Sequence, residues 1–413
     1  MKNIFFMGLV LLIVGSIGFD AEARVYLPNQ GNTVCQSFVD EAPTKKNKPA
    51  FASSQTAATS AQNFKLMIVE SPDQYYPVIE LNGINGGVVV GTAATPGRAL
   101  RQGVIYTKKA IILVPTPDPS YMKVYFNAVD GNTAVGFANN HTYQGKGVIY
   151  NFAINQTDKN EPIINKDRGI LLIDPPFPYN SLIFRDIDND AIVGAVCNTF
   201  DMTVKGAIYQ NGALNIIDSA DEKYPFTAFY AISEDIIVGE AHNFGWTIGK
   251  GIIYQNGVIT LASSPDPKLP ILSFSGINKG VIVGAARNDD WTVQMGAIYQ
   301  DGVVTLVDSP DPNLPFISFN SIDNGVIVGE ANSADWSVTK GFVYQDGEIL
   351  FLDGPNGDFP FLSLSNISNM VAVGTVFNSD YSMREGAILS PKFTLGPYLK
   401  SPESPSVKLG PSH

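Results

Sequence analysis

Residues able to carry chemistry are scarce in this chain. Its 413 residues include two cysteines, Cys35 and Cys197, and three histidines, His141, His242 and His413. No histidine has a partner at ligand spacing such as His-Glu-x-x-His, so no metal site and no cofactor are expected. A Gly-x-Ser-x-Gly elbow, a phosphate-binding glycine loop and a Cys-x-x-Cys pair are all missing, which excludes the chemistries built on them. No window sustains apolar residues at i, i+3, i+4 and i+7, so amphipathic helices are excluded as the main architecture. Only 16% of residues are charged, the formal net charge is −12, and there is no basic cluster. An acidic chain of this kind is a poor partner for nucleic acid or anionic lipid.

Against these absences stands a phrase that returns through most of the chain. Its clearest copy is Asn278-Lys-Gly-Val-Ile-Val-Gly284, and it returns as Asp323-Asn-Gly-Val-Ile-Val-Gly329. The closing glycines are Gly91, Gly136, Gly194, Gly239, Gly284, Gly329 and Gly374, separated by steps of 45, 58, 45, 45, 45 and 45 residues. A fixed period of this length marks a propeller or a solenoid.

One repeat can be read strand by strand. Val303–Val307 is a short β-branched run, and the prolines of Asp308–Pro315 make a stiff surface connection. Phe316–Ile322, Val326–Ala331 and Trp336–Tyr344 are read as three further strands, with Asp-Gly and Asn-Gly turns that favour two-residue hairpins. Four strands in about 45 residues form one antiparallel blade. The fold expected is therefore all-β, a seven-bladed β-propeller of four-stranded antiparallel blades. The closing glycine lies inside a strand, where it either lets backbones approach closely or marks a bulge. Phe64–Glu70 precedes Ser71-Pro-Asp73 as Val303–Val307 precedes Ser309-Pro-Asp311, so the array opens with a fourth strand and ends lacking one. The N-terminal strand is expected to complete the last blade, with Lys392–Leu395 as its competitor. The 58-residue step is read as a hairpin inserted between the third and fourth strands of blade two, at Phe152–Arg168.

The ends differ from the array. Residues 1–23 have a basic start, an apolar run and Ala21-Glu-Ala23, the pattern of a secretory signal peptide. Residues 24–63 form a polar extension, 64–390 the propeller and 391–413 a proline-rich tail. No transmembrane segment remains after cleavage, and the chain is expected to be secreted to the medium or the periplasm. In an oxidising compartment Cys35 and Cys197 either pair or leave Cys197 as a buried thiol.

The run Asn-x-x-Gly-x-Ile-Val-Gly followed by Gly-x-Ile-Tyr-Gln-Asp-Gly resembles the bacterial extracellular repeats of the HAF family, and more distantly kelch-type blades. The resemblance covers about residues 64–390. It implies an exported β-propeller and carries over no catalytic residue. The chain departs from the pattern at Asp188-Asn-Asp190 and Ser233-Glu-Asp235, where the phrase's middle glycine is replaced.

One recurrence points to a site. Trp246, Trp291 and Trp336 each lie seven residues after the closing glycine, and Tyr143 and Tyr381 hold the same slot. Beside them stand Asn243, Asn288 and Asn378, and on the same face of a propeller the connections carrying Asp73, Asp118, Asp221, Asp266, Asp311 and Asn356. A rim of flat aromatics with amides and carboxylates suits a glycan or a peptide, whereas the same aromatics can equally plug the gaps between blades. Three functional readings follow. One is an exported, non-catalytic binding module for a glycan or an extracellular protein. The second is a propeller enzyme acting on glycans, hydrolase or lyase. The third is a structural envelope component.

Overall fold

The computed structural model describes residues 64–107, 110–142, 144–156, 162–165 and 169–391, with the backbone alone described for 154–156 and 162–165. The segments 1–23 and 24–63, the tail beyond Pro391, Cys35, Tyr143 and the Lys392–Leu395 strand candidate lie outside the described residues. Among the described residues there is no α-helix, and none that is long and apolar enough to cross a membrane.

Strands recur in antiparallel groups of four. Blade six is typical, with an inner strand Phe316–Asp323, then Val326–Asn332, Thr339–Gln345 and an outer strand Glu348–Leu352. The inner strands of the other groups are Val78–Asn85, Lys123–Asp130, Ser181–Asp188, Phe226–Ser233, Ile271–Asn278 and Phe361–Ser368. Blades one to three are linked into one 12-stranded sheet and blades four to six into another. The links are slight, a single parallel bridge such as Arg101↔Lys123 or Gly249↔Ile271 from the third strand of one blade to the inner strand of the next. Blade seven is a 4-stranded sheet whose outer strand is Phe64–Val69, paired antiparallel with Arg384–Pro391. The inserted hairpin of blade two is present as Ala153–Gln156 paired with Pro162–Asn165.

Every inner strand carries a β-bulge at one position, so that one extra residue opposes the second strand. In blade five the register shifts between Phe274 and Gly276, and in blade six between Phe319 and Ser321. The closing glycine faces this kink. A Cβ on Gly284 would lie 1.9 Å from the carbonyl oxygen of Ser273, and one on Gly329 1.9 Å from that of Ser318. Thus both readings of that glycine hold: the bulge is on the neighbouring strand, and the close approach of backbones is its result.

A second glycine, on the third strand, serves the packing between blades. Cβ atoms on Gly251 and Gly296 would sit 2.3 and 2.7 Å from the rings of Phe274 and Phe319 in the following blade. Those phenylalanines are fully buried, and each such burial stabilises by about 2–3 kcal/mol. Gly386 meets Leu81 in the same way, so the last blade packs on the first.

The opening residue of the repeated phrase ties blades together. Asp130 Oδ2 accepts from the Asn189 amide at 3.1 Å, Asn278 Oδ1 from Asn324 at 3.1 Å, and Asp323 Oδ2 from Asn369 at 2.6 Å. The turn between requires positive φ, which Gly280 and Gly325 adopt freely; Asp190, at φ 67, adopts it without that freedom.

The fourth strand read from Trp336 starts later than expected, at Thr339. Trp336 has φ 58, its amide donates to the Ser333 carbonyl at 2.9 Å, and the Val338 amide donates to Ser333 Oγ at 3.0 Å. The side chain of Ser333 thus holds these residues in a loop where apolar content alone suggested a strand.

Candidate functional site

The bulges aim their extra side chains inward, and all seven inner strands contribute to one central cavity of about 960 Å³. At four bulges this side chain stitches neighbouring blades. Nδ2 of Asn82, Asn127 and Asn320 donates to the carbonyls of Phe126, Phe184 and Leu364, and Ser275 Oγ to that of Phe319. Blades three and four depart from this pattern, with Arg185 and Tyr230 at the bulge and the guanidinium of Arg185 5.2 Å from the Tyr230 ring centroid.

Around Tyr230 lies a polar cluster. Its hydroxyl donates to Glu240 Oε1 at 2.5 Å, and His242 Nε2 lies 3.0 Å from Glu240 Oε2. At this distance the two form an ion pair whenever His242 carries a proton. Burial alone would raise the Glu240 pKa, but the charge on His242, then Arg287 and the Tyr230 hydroxyl, bring it down to about 2. Burial, followed by repulsion from Glu240, holds Tyr230 protonated well above its ordinary range. Burial lowers Arg185 to about 10. Asp186 also lines the cavity, and burial raises it to about 7 against hydrogen bonds from the Ile232 and Ile187 amides.

A second cluster faces blades seven, one and two. Glu80 Oε2 accepts from Arg101 Nη1 at 3.0 Å, and Glu80 Oε1 from Arg384 Nη1 at 2.6 Å. Burial opposes its charge, yet Arg101, Arg384 and Arg98 together keep its pKa below the usual range.

These clusters contain a pattern that sequence reasoning missed. Arg98, Arg101, Arg185, Arg287 and Arg384 are all the arginines whose side chains are described, and every one lines this cavity. None of the described lysines does. Arginine offers a planar fork of donors suited to carboxylate, where lysine is a point charge kept in water. The available signal was departure from the repeat: Arg101 and Arg384 stand where Gly249, Gln294 and Thr339 stand in other blades. No local pattern says that these positions face one another.

The aromatic slot divides. Trp246 is buried at 7% exposure, stacked 5.3 Å from Phe226 and 4.5 Å from His242. Trp291 is 37% exposed and carries the Arg287 guanidinium 3.6 Å from its ring centroid. Trp336, 41% exposed, tilts against Phe316, and Tyr381 stacks on Phe361. Trp246 and Trp291 line the cavity. The packing reading therefore accounts for Trp246, while Trp291 and Trp336 keep faces in solvent. Trp246, Trp291, Trp336 and Tyr381 all have φ between 55 and 60. That costs a bulky residue about 1–2 kcal/mol, and packing on the first residue of the inner strand offsets it for Trp246, Trp336 and Tyr381. Phe200 and Phe244, on the corresponding loops of blades three and four, are exposed as well.

The amides and carboxylates assigned to the rim are engaged in turns. Asn243 Oδ1 accepts from the Thr247 and Ile248 amides, and Asn288 Oδ1 from Thr292 and Val293. Asp118, Asp221, Asp266 and Asp311 each accept from the amide two residues on. Cys197 is buried and disulfide-bonded.

No protein-family model and no curated protein matches the chain. Among solved structures it is similar to the β-propeller domain of the Trilobed protease from Pyrococcus furiosus, at 12% identity over 76% of this chain and 97% of that one, with a TM-score of 0.46. It is similar too to the Cps50 (Swd1) β-propeller domain of Myceliophteria thermophila, at 10% identity over 78% of this chain and 99% of that one, TM-score 0.43. It spans 55% of a puromycin hydrolase, at 12% identity and a TM-score of 0.46 over 76% of this chain.

Proposed function

We propose that this chain is an exported, seven-bladed β-propeller, closed by its N-terminal strand, that binds a saccharide or an extracellular peptide at its central cavity. The observation that carries the binding reading is the gathering of all five described arginines, with Trp246 and Trp291, around one cavity of about 960 Å³. That volume is within the range of sites for small ligands. Closure is supported by the pairing of Phe64–Val69 with Arg384–Pro391 and the contact of Gly386 with Leu81. Export rests on the leader pattern of residues 1–23 and on the HAF resemblance, and HAF-type repeats remain the assignment offered for the array.

The test is a glycan and peptide array probed with the mature chain, followed by fluorescence titration of hits. Trp291→Ala should keep the native melting transition and lose at least tenfold in affinity. Unchanged binding with Trp291 removed would reject the cavity mouth as the site.

Asp186 favours a second reading, an enzyme acting on glycans. A cavity carboxyl with a pKa of about 7 is poised to act as a general acid. Turnover on a polysaccharide panel, abolished in a folded Asp186→Asn variant, would establish it; absence of turnover on every member leaves binding alone.

A further inference from the structure

Most of the cavity's charged groups are already committed to one another. Glu80 is held by Arg101 and Arg384, and Glu240 by Tyr230 and His242. Glu330 accepts from Ser363 Oγ at 2.6 Å. Asp186, Asp188 and Asp323 receive backbone amides from the following blade. Arg287 differs. It is the last residue of the strand Val281–Arg287, it lines the cavity, and its guanidinium lies on the Trp291 ring. Its side chain makes no hydrogen bond or ion pair with any described residue, although Glu240 lies close enough to act on it through charge. Stacking uses the face of the guanidinium and leaves its donor edge free, so the group is pre-oriented for a planar acceptor.

We infer that Arg287 is the anchor of a subsite for the carboxylate of an acidic sugar, a uronate residue within an oligosaccharide. This rests on the binding reading above and narrows it. The neighbour points to a sugar: Trp291 lines the cavity, is 37% exposed and offers flat apolar surface beside the guanidinium, the surface that pyranose C–H faces pack against. A single carboxylate is favoured over phosphate by charge. Glu80, Glu240 and Glu330 remain in the wall and the chain is net −12, so a dianion meets repulsion from each while one monoanion is matched by one free guanidinium.

The mature protein would be titrated by calorimetry with oligomers of galacturonate, of alginate and of hyaluronan, each against its methyl ester, and with inorganic phosphate. At least one acid is expected to bind ten times more tightly or better than its ester. Arg287→Gln should abolish that preference, leaving affinity for the ester within twofold. Arg287→Lys, which keeps the charge and loses the fork, should retain only part of it. Circular dichroism and the thermal midpoint check that both variants fold; should neither fold, the acid-to-ester ratio of the native protein decides alone. Acid and ester binding equally, or a preference that survives in Arg287→Gln, overturns the subsite while the binding reading stands. Phosphate binding without any saccharide overturns the sugar assignment. No binding by any saccharide overturns the subsite, and with an empty array it overturns the binding reading too.

Discussion

Arg384 donates to Glu80 at 2.6 Å although 304 positions separate them in the chain. The contact joins the last blade to the first, and Arg101 completes it from the other side at 3.0 Å. Removing the carboxylate takes a charge partner from two guanidinium groups, and breaking a buried pair from one side costs about 3–5 kcal/mol. Glu80→Gln is expected to lower the unfolding free energy from urea melts by that much, and Arg384→Gln by less, since Arg101 still neutralises Glu80. Equal melts for native and Glu80→Gln proteins would show that the join is held by its apolar packing, such as Leu81 and Ile79 against Gly386.

A closing glycine inside a strand and a glycine in a hairpin turn should respond differently to a methyl group. At Gly284 a Cβ meets the Ser273 carbonyl at 1.9 Å, backbone against backbone, with no side chain able to move aside. Gly284→Ala should cost at least about 3 kcal/mol. Gly257, in a hairpin turn at φ 80, has nothing within 4 Å of its Cβ position. There the cost is conformational, about 1–2 kcal/mol. Chemical denaturation of both variants measures the gap.

Trp246 and Trp336 occupy one slot of the repeat and should differ in worth. Trp246→Ala opens a cavity between Phe226 and His242 and is expected to cost about 3 kcal/mol. Trp336 is 41% exposed at φ 58, so its removal loses less contact and should cost about 1 kcal/mol. Thermal melts of the two variants give the comparison.

Asp186 makes the fold less stable as pH rises. Its carboxyl goes from an ordinary 3.8 to about 7 on folding. Below about pH 4 it is protonated in both states and has no differential effect. Between about 4 and about 7 the unfolded chain gives up the proton while the folded chain keeps it, so stability falls; above 7 both states are ionised and the slope ends. Glu240 acts oppositely, its folded pKa of about 2 lying below the ordinary 4.5, so its contribution is present above 4.5 and is lost as pH falls through 2. Urea melts of Asp186→Asn from about pH 4 to 8 should lack the decline that the native protein shows between 4 and 7.

Much of the architecture was legible because it is local and repeated. Phe316–Asp323 and Val326–Asn332 announce themselves by β-branched runs around a tight turn, and the 45-residue step repeats the announcement. The N-terminal strand was legible by elimination, since Phe64–Val69 had no partner of its own kind ahead of it. The loop carrying Trp336 was not, because the hydrogen bond from Val338 to Ser333 overrides the apolar pattern of the segment.

By itself the sequence determined the strands, their grouping in fours and the turns between them, all set by neighbours within a few residues of chain. It also placed three tryptophans in one slot. Only the tertiary structure decided which of them is core and which is surface, because that depends on what the adjacent blade presents: His242 covers Trp246, while Arg287 rests on Trp291 and leaves it partly in water. The tertiary structure alone, too, brought five scattered arginines to one cavity. They come from a bulge at Arg185, strand ends at Arg101, Arg287 and Arg384, and a short turn at Arg98, and these acquire a common centre only when the blades pack side by side.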